Sequence, residues 1–129
     1  MKKYLVIGNP IDHSLSPKLH NYWFEKNKID ANYDKRKIIK SEIQKIISEI
    51  KDNKLDGINV TVPFKNEVIP FLDTLSEESK ITQSVNTIYL HDKKLVGHNT
   101  DIKGFELSLN ETQFNPQNKK VFILGAGGV

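Results

Sequence analysis

Apolar residues in this chain fall into short runs of strand type, separated by stretches of helical period. That alternation restricts the fold more than any other feature. Tyr4–Ile7 is a four-residue apolar run closed by the turn signal "GNP". In "SPKLHNYWFEKNK" Ser16 is a good helix N-cap and Pro17 suits the first turn, where its missing N–H costs nothing. Leu19, Tyr22 and Trp23 give that helix an apolar side. "NYDKRKI" (32–38) reads as an edge strand. "SEIQKIISEIKDN" is the clearest helix: Ser41 and Gln44 have capping-box spacing, and Ile43, Ile46, Ile47 and Ile50 fall at i, i+3, i+4, i+7.

"DGINVTVPF" is a strand, with Ile58, Val60 and Val62 on one face and Asn59 and Thr61 on the other. Lys65 to about Phe71 and Ser76 to about Thr82 are short helical pieces. "SVNTIYL" and "KKLVGHN" are strands joined by the turn "HDKK". "TDIKGFELSLNE" is a helix with Phe105 and Leu109 at i, i+4. A polar connector, "ETQFNPQNKK", leads to a buried-type strand in "VFILG". Strands alternating with helices predict an α/β fold with a mostly parallel sheet, helices on both faces and one antiparallel element at the 90–95 turn.

Composition narrows the function class. The net charge of +3 is carried by dispersed lysines and a single arginine, Arg36, with no interleaving of basic and aromatic residues, so nucleic-acid binding is not indicated. No apolar run has the length of a membrane span or of a signal-peptide core, which predicts a cytoplasmic protein. Without cysteine there are no disulfides or thiolate metal sites, and His13, His20, His91 and His98 show no metal-ligand spacing.

Four stretches place polar groups where a bland core would not: "NPIDHSLSP", "NVTVPFK", "SVNT" and "GHNTD". Each lies at a strand end or a helix start, where open α/β sheets build their ligand crevice. Each also has a structural reading. Asn59 and Thr61 fit the wet face of an edge strand, Ser16 a helix cap, Ser14 a turn, and Thr100 or Asp101 the cap of the next helix. Hydroxyls and N–H groups at a helix start equally suit a carboxylate ligand. The glycines of "GAGG" after a strand allow a tight turn and close approach to a pyrophosphate.

Taken together, "GNPIDHSLSPKLHN", "NVTVPFK", "SVNT", "GHNTD" and "GAGG", in this order and spacing, resemble the shikimate dehydrogenase family from Tyr4 to Val129. The resemblance implies a substrate-binding catalytic domain over 1–112 and a linker over 113–118. Residues 119–129 would begin an incomplete NADP-binding Rossmann domain, starting with its first strand. The chain then reads as an N-terminal fragment, inactive alone, of an enzyme reducing 3-dehydroshikimate to shikimate with NADPH. Matched by position, Ser14 and Ser16 would hold the substrate carboxylate. Asn59, Thr61, Asn86 and Asp101 would line or bind the ring hydroxyls.

Lys65 would be the acid/base with Asp101 as its partner, since an ammonium stabilises and protonates the oxygen on which charge develops. Gly125, Ala126, Gly127, Gly128 and Val129 would touch the cofactor, and Glu77 of "LSEES" matches a position near it. The implied partner is a small molecule, with no metal, nucleic acid or membrane. Ile102 departs from the glycine that often follows "NTD" in the family. A quinate/shikimate dehydrogenase relative, or a shikimate-binding module without turnover, would carry the same motifs.

Overall fold

A computed structural model describes residues 1–125. Six strands form one sheet in the order β2-β1-β3-β5-β6-β4. They are β1 (Lys2–Gly8), β2 (Ala31–Lys37), β3 (Gly57–Val60), β4 (Thr74–Leu75), β5 (Thr87–His91) and β6 (Lys94–His98). The helices are α1 (Ser16–Lys26), α2 (Ile43–Lys51), α3 (Glu77–Thr82) and α4 (Asp101–Glu111). β1 pairs in parallel with β2 and β3, and β4 with β6, while β5 alone runs against both of its neighbours. The predicted mostly parallel sheet with one antiparallel element is therefore present.

The main core lies on one sheet face. Leu5, Ile7, Ile58, Val60, Ile88 and Leu95 point into it from the strands. Against them α2 sets Ile43, Ile46, Ile47 and Ile50, the helical stripe read from the sequence, all buried. Phe64 and Val68 complete it from the loop after β3. On the opposite face a smaller cluster of Val6, Ile11 and Tyr33, with Tyr4 and Phe24 against it, lies beneath α1. Past α1 this face stays partly open at Thr87, Tyr89 and Val96. Asp92 and Lys93 both take positive φ, giving the two-residue turn whose twist suits a tight hairpin between β5 and β6.

Several local expectations are corrected. Leu19, Tyr22 and Trp23 are about half exposed, because α1 turns His20 and Phe24 toward the sheet instead. Ser16 is the first helical residue and not the cap. Leu15 occupies the cap position, and the Ser16 N–H donates to Ser14 Oγ at 3.3 Å. Ser41 lies in a 3-10 turn (Lys40–Glu42) ahead of α2, and the back-bonded pair is Glu42 Oε2 accepting the Ile39 N–H at 2.9 Å. β3 ends at Val60, so Val62 leaves the core face and is exposed; its bond to Pro63 is cis.

α4 forms as predicted but buries nothing, and Phe105 is 66% exposed. Val121–Leu124 form no strand and lie exposed, since no neighbouring strand among the described residues offers them a ladder. The isoleucine stripe carries the fold test. Ile46→Ala is expected to lower unfolding stability by about 2–5 kcal/mol, read from urea denaturation.

Candidate functional site

Because β5 is reversed, its first residues meet the final residues of β3 and β6. Asn59, Thr87 and His98 stand in one row across the three strands. β1 ends at the same edge, where Asn9 N–H donates to Val62 O and Thr61 N–H to Ile7 O. The four polar stretches thus converge on one edge of the sheet. Gly8 is required there: a Cβ on it would stand 2.5 Å from Thr61 Cγ2.

Two adjoining pockets, each of about 270 Å³, occupy this edge. One is lined by Ser14, Ser16 and Thr61 with His13, Pro10 and Ile11. The other takes Ser16, Asn59, Thr61, Lys65, Asn86 and Asp101 among its walls. Every substrate or acid–base residue expected from the sequence lies in one pocket or the other. Glu77 does not: it sits in the first turn of α3, exposed and paired with Lys80. Gly125 has φ +89° and open space around it, while Ala126, Gly127, Gly128 and Val129 lie outside the described residues.

Lys65 is held by its surroundings. Phe64 before it and Val68 after it are buried, its carbonyl accepts the Val85 N–H, and its own side chain is 10% exposed. A buried ammonium needs a partner, and Nζ donates to Asp101 Oδ2 at 2.8 Å. The second carboxylate oxygen, Oδ1, accepts from Asn86 Nδ2 at 2.9 Å. Asn86 is saturated. Nδ2 also donates to Thr100 Oγ1 at 2.8 Å, and Oδ1 accepts the Thr100 N–H at 3.0 Å and the Thr87 hydroxyl at 2.9 Å.

Asp101 does not cap α4. The Asp101 N–H donates to Asn99 Oδ1 at 2.9 Å, and Thr100, at the cap position, makes no side-chain cap bond. This leaves the Asp101 carboxylate for Lys65 and Asn86. Asn99 and Thr87 are the site residues that sequence reasoning passed over. Both stood inside the stretches "GHNTD" and "SVNT", yet nothing in their spacing told a cap or a bridge from a ligand. Asn99 is 4% exposed and also donates from Nδ2 to Ser84 O.

Such an edge sets hydroxyls and amides around a lysine–carboxylate pair in an α/β domain. Residues 6–88 match the family model described as the shikimate dehydrogenase substrate binding domain, and the chain belongs to that family. It is 62% identical to the shikimate dehydrogenase (NADP(+)) of Pelagibacter ubique over 99% of this chain and 48% of that protein.

The crystal structure of shikimate dehydrogenase 1 from Peptoclostridium difficile superposes with a TM-score of 0.93 at 37% identity, covering 99% of this chain and 47% of that one. That of the Thermus thermophilus enzyme in complex with NADP(H) and shikimate gives 0.83 at 29%, covering 89% and 44%. The chain spans about half the length of the curated relatives it matches. Among the described residues no helix is long and apolar enough to cross a membrane.

Asn99→Ala removes the acceptor for the Asp101 N–H and leaves the Ser84 carbonyl unpaired. A loss of about 1–2 kcal/mol in urea unfolding is expected.

Proposed function

We propose that residues 1–112 are the substrate-binding catalytic half of an NADP-dependent shikimate dehydrogenase, acting on shikimate and 3-dehydroshikimate. The observation that carries this reading is the 2.8 Å Lys65–Asp101 pair, opening on a cavity shared with Ser16, Thr61 and Asn86. Family membership supplies the substrate class. In this reading Ser14 and Ser16, beside the N-terminus of α1, receive the substrate carboxylate, where hydroxyls and helix N–H groups favour an anion.

Thr61, Asn86 and Asp101 meet the ring hydroxyls. A hydroxyl arriving at Asn86 takes over one of the bonds it now makes to Thr100 or Asp101. In reduction, charged Lys65 donates a hydrogen bond to the carbonyl oxygen and passes it a proton as negative charge develops there. In oxidation, neutral Lys65 removes the hydroxyl proton. Asp101 orients the amine and balances its charge.

Asn59 has a different part. Its Nδ2 donates to Asn86 O at 3.1 Å and to Thr87 Oγ1 at 3.0 Å, so both donors are committed within the protein. It supports the wall and does not donate to a ligand hydroxyl.

The described residues do not fit NADP. Residues 119–125 are exposed and form neither strand nor helix, so they present no array of helix N–H groups to a pyrophosphate. NADPH would supply the hydride from a site these residues do not build, and no step above runs through it.

Calorimetric titration with shikimate tests the site. The 129-residue chain is expected to give saturable binding. Lys65→Met and Asp101→Asn, folded by circular dichroism, are expected to lose about 10- to 100-fold in affinity, the worth of a charged hydrogen bond. Absence of binding by the unmodified chain would sink the reading. NADP-linked oxidation of shikimate by this chain is expected to be undetectable; steady turnover would overturn the statement that the described residues build no cofactor site.

A further inference from the structure

Asn59 Oδ1 accepts a hydrogen bond from the hydroxyl of Tyr33 at 2.6 Å. Tyr33 stands on β2, is 4% exposed, and belongs to no stretch that the motifs single out. Its place is closely specified. Asn21 of α1 bonds both its N–H and its carbonyl, at 2.9 and 2.7 Å, and the His20 ring stacks on it at 4.1 Å and 10°.

The backbone fixes the direction of every bond that follows. Asn59 must turn its amide nitrogen to the Asn86 carbonyl, so its oxygen faces Tyr33, and the phenol must donate. Asn86 must turn its oxygen to the Thr100 N–H, so its nitrogen faces Asp101. The Thr87 hydroxyl lies between an amide N–H of Asn59 and the amide oxygen of Asn86. It therefore accepts from the first and donates to the second. Burial pushes the Tyr33 phenol well above its ordinary pKa, with a lesser opposite pull from the Ser16 hydroxyl, so the donor is always present.

We infer that Tyr33 is a positioning residue for the Lys65–Asp101 pair, acting through a one-way chain of hydrogen bonds from Tyr33 to Asn59, Thr87, Asn86 and Asp101. The inference rests on the reading of that pair as the reacting groups. Bonds aligned donor-to-acceptor polarise one another, by about 10–30% per bond. Here the polarisation ends on Asp101 Oδ1, the carboxylate oxygen not engaged by Lys65. Tyr33 thereby strengthens and orients the Asn86–Asp101 bond without touching either residue. The charged or titratable side chains walling the space around Asp101 are Lys65, His20 and, further along α4, Glu106.

The test is ligand-free NMR of the isotopically labelled chain, reading the Asn86 side-chain amide proton that bonds Asp101. Tyr33→Phe keeps the ring and the backbone bonds and removes only the donor. The Asn86 proton is expected to move upfield by more than its line width. Thr87→Val is expected to move it the same way, Thr87→Ser to leave it in place, and the double variant Tyr33→Phe/Thr87→Val to move it no further than Thr87→Val alone. 3-Fluorotyrosine at position 33, a stronger donor of nearly the same shape, is expected to shift it downfield, which keeps the test open if Tyr33→Phe fails to fold.

An Asn86 proton unmoved by both changes at Tyr33, or additive shifts in the double variant, would overturn the inference. Because no ligand is involved, that outcome is separate from a failure to bind shikimate.

Discussion

The reversal of β5 is the constraint on which the site depends. β1, β3 and β6 deliver their last residues to one edge, as parallel strands must. A fourth strand in the same sense, between β3 and β6, would bring its own end there and place its first residues at the far side. Running the other way, β5 opens at that edge, and Asn86 and Thr87 enter between Asn59 and the turn into α4. Backbone pairing on both sides, Val60 N–H to Asn86 O and Asn86 N–H to His98 O, leaves the Asn86 side chain one orientation in which all its groups are satisfied.

That satisfaction explains how a lysine with a 10% exposed side chain is tolerated beside apolar Phe64 and Val68. A buried charge is costly alone and acceptable when its partner is itself anchored. The anchoring is unequal. The Asp101 side chain is 45% exposed and owes its position to three bonds, from Lys65, from Asn86 and, through its N–H, to Asn99. The lysine is set by the core and the carboxylate by the lysine's surroundings, so the pair is rigid on one side and open on the other. A small molecule with hydroxyl groups has room to approach on the open side.

Legibility in the sequence followed locality. The Ile43–Ile50 stripe was plain because helical period is written in consecutive residues and packing agreed with it. The "HDKK" turn and the strands beside it were equally local. The apolar side of α1 misled, because Leu19, Tyr22 and Trp23 are attractive only if the helix is rotated toward them. Tyr4 and Tyr33, outside the helix in sequence, draw the opposite flank with His20 and Phe24 inward. Val62 misled because alternation in the sequence continues past the end of β3, where the chain turns at Val62–Pro63.

At the site, Lys65, Asn86 and Asp101 were legible through the family motifs, whereas composition and period alone left each a structural alternative. Asn99 and Tyr33 were not legible, since what they do consists of bonds to residues elsewhere in the chain.

α4 stands apart from everything else in this sheet. It buries no residue, yet its first turn is fastened by three polar bonds at Asp101. A helix secured at one end by a site, and not along its length by a core, takes its local stability from that site. Its amide protons should exchange with solvent on a gradient, slow near Asp101 and fast toward Glu111. Anything that tightens the cluster around Lys65 is expected to slow exchange first in the turn of α4 that holds Asp101.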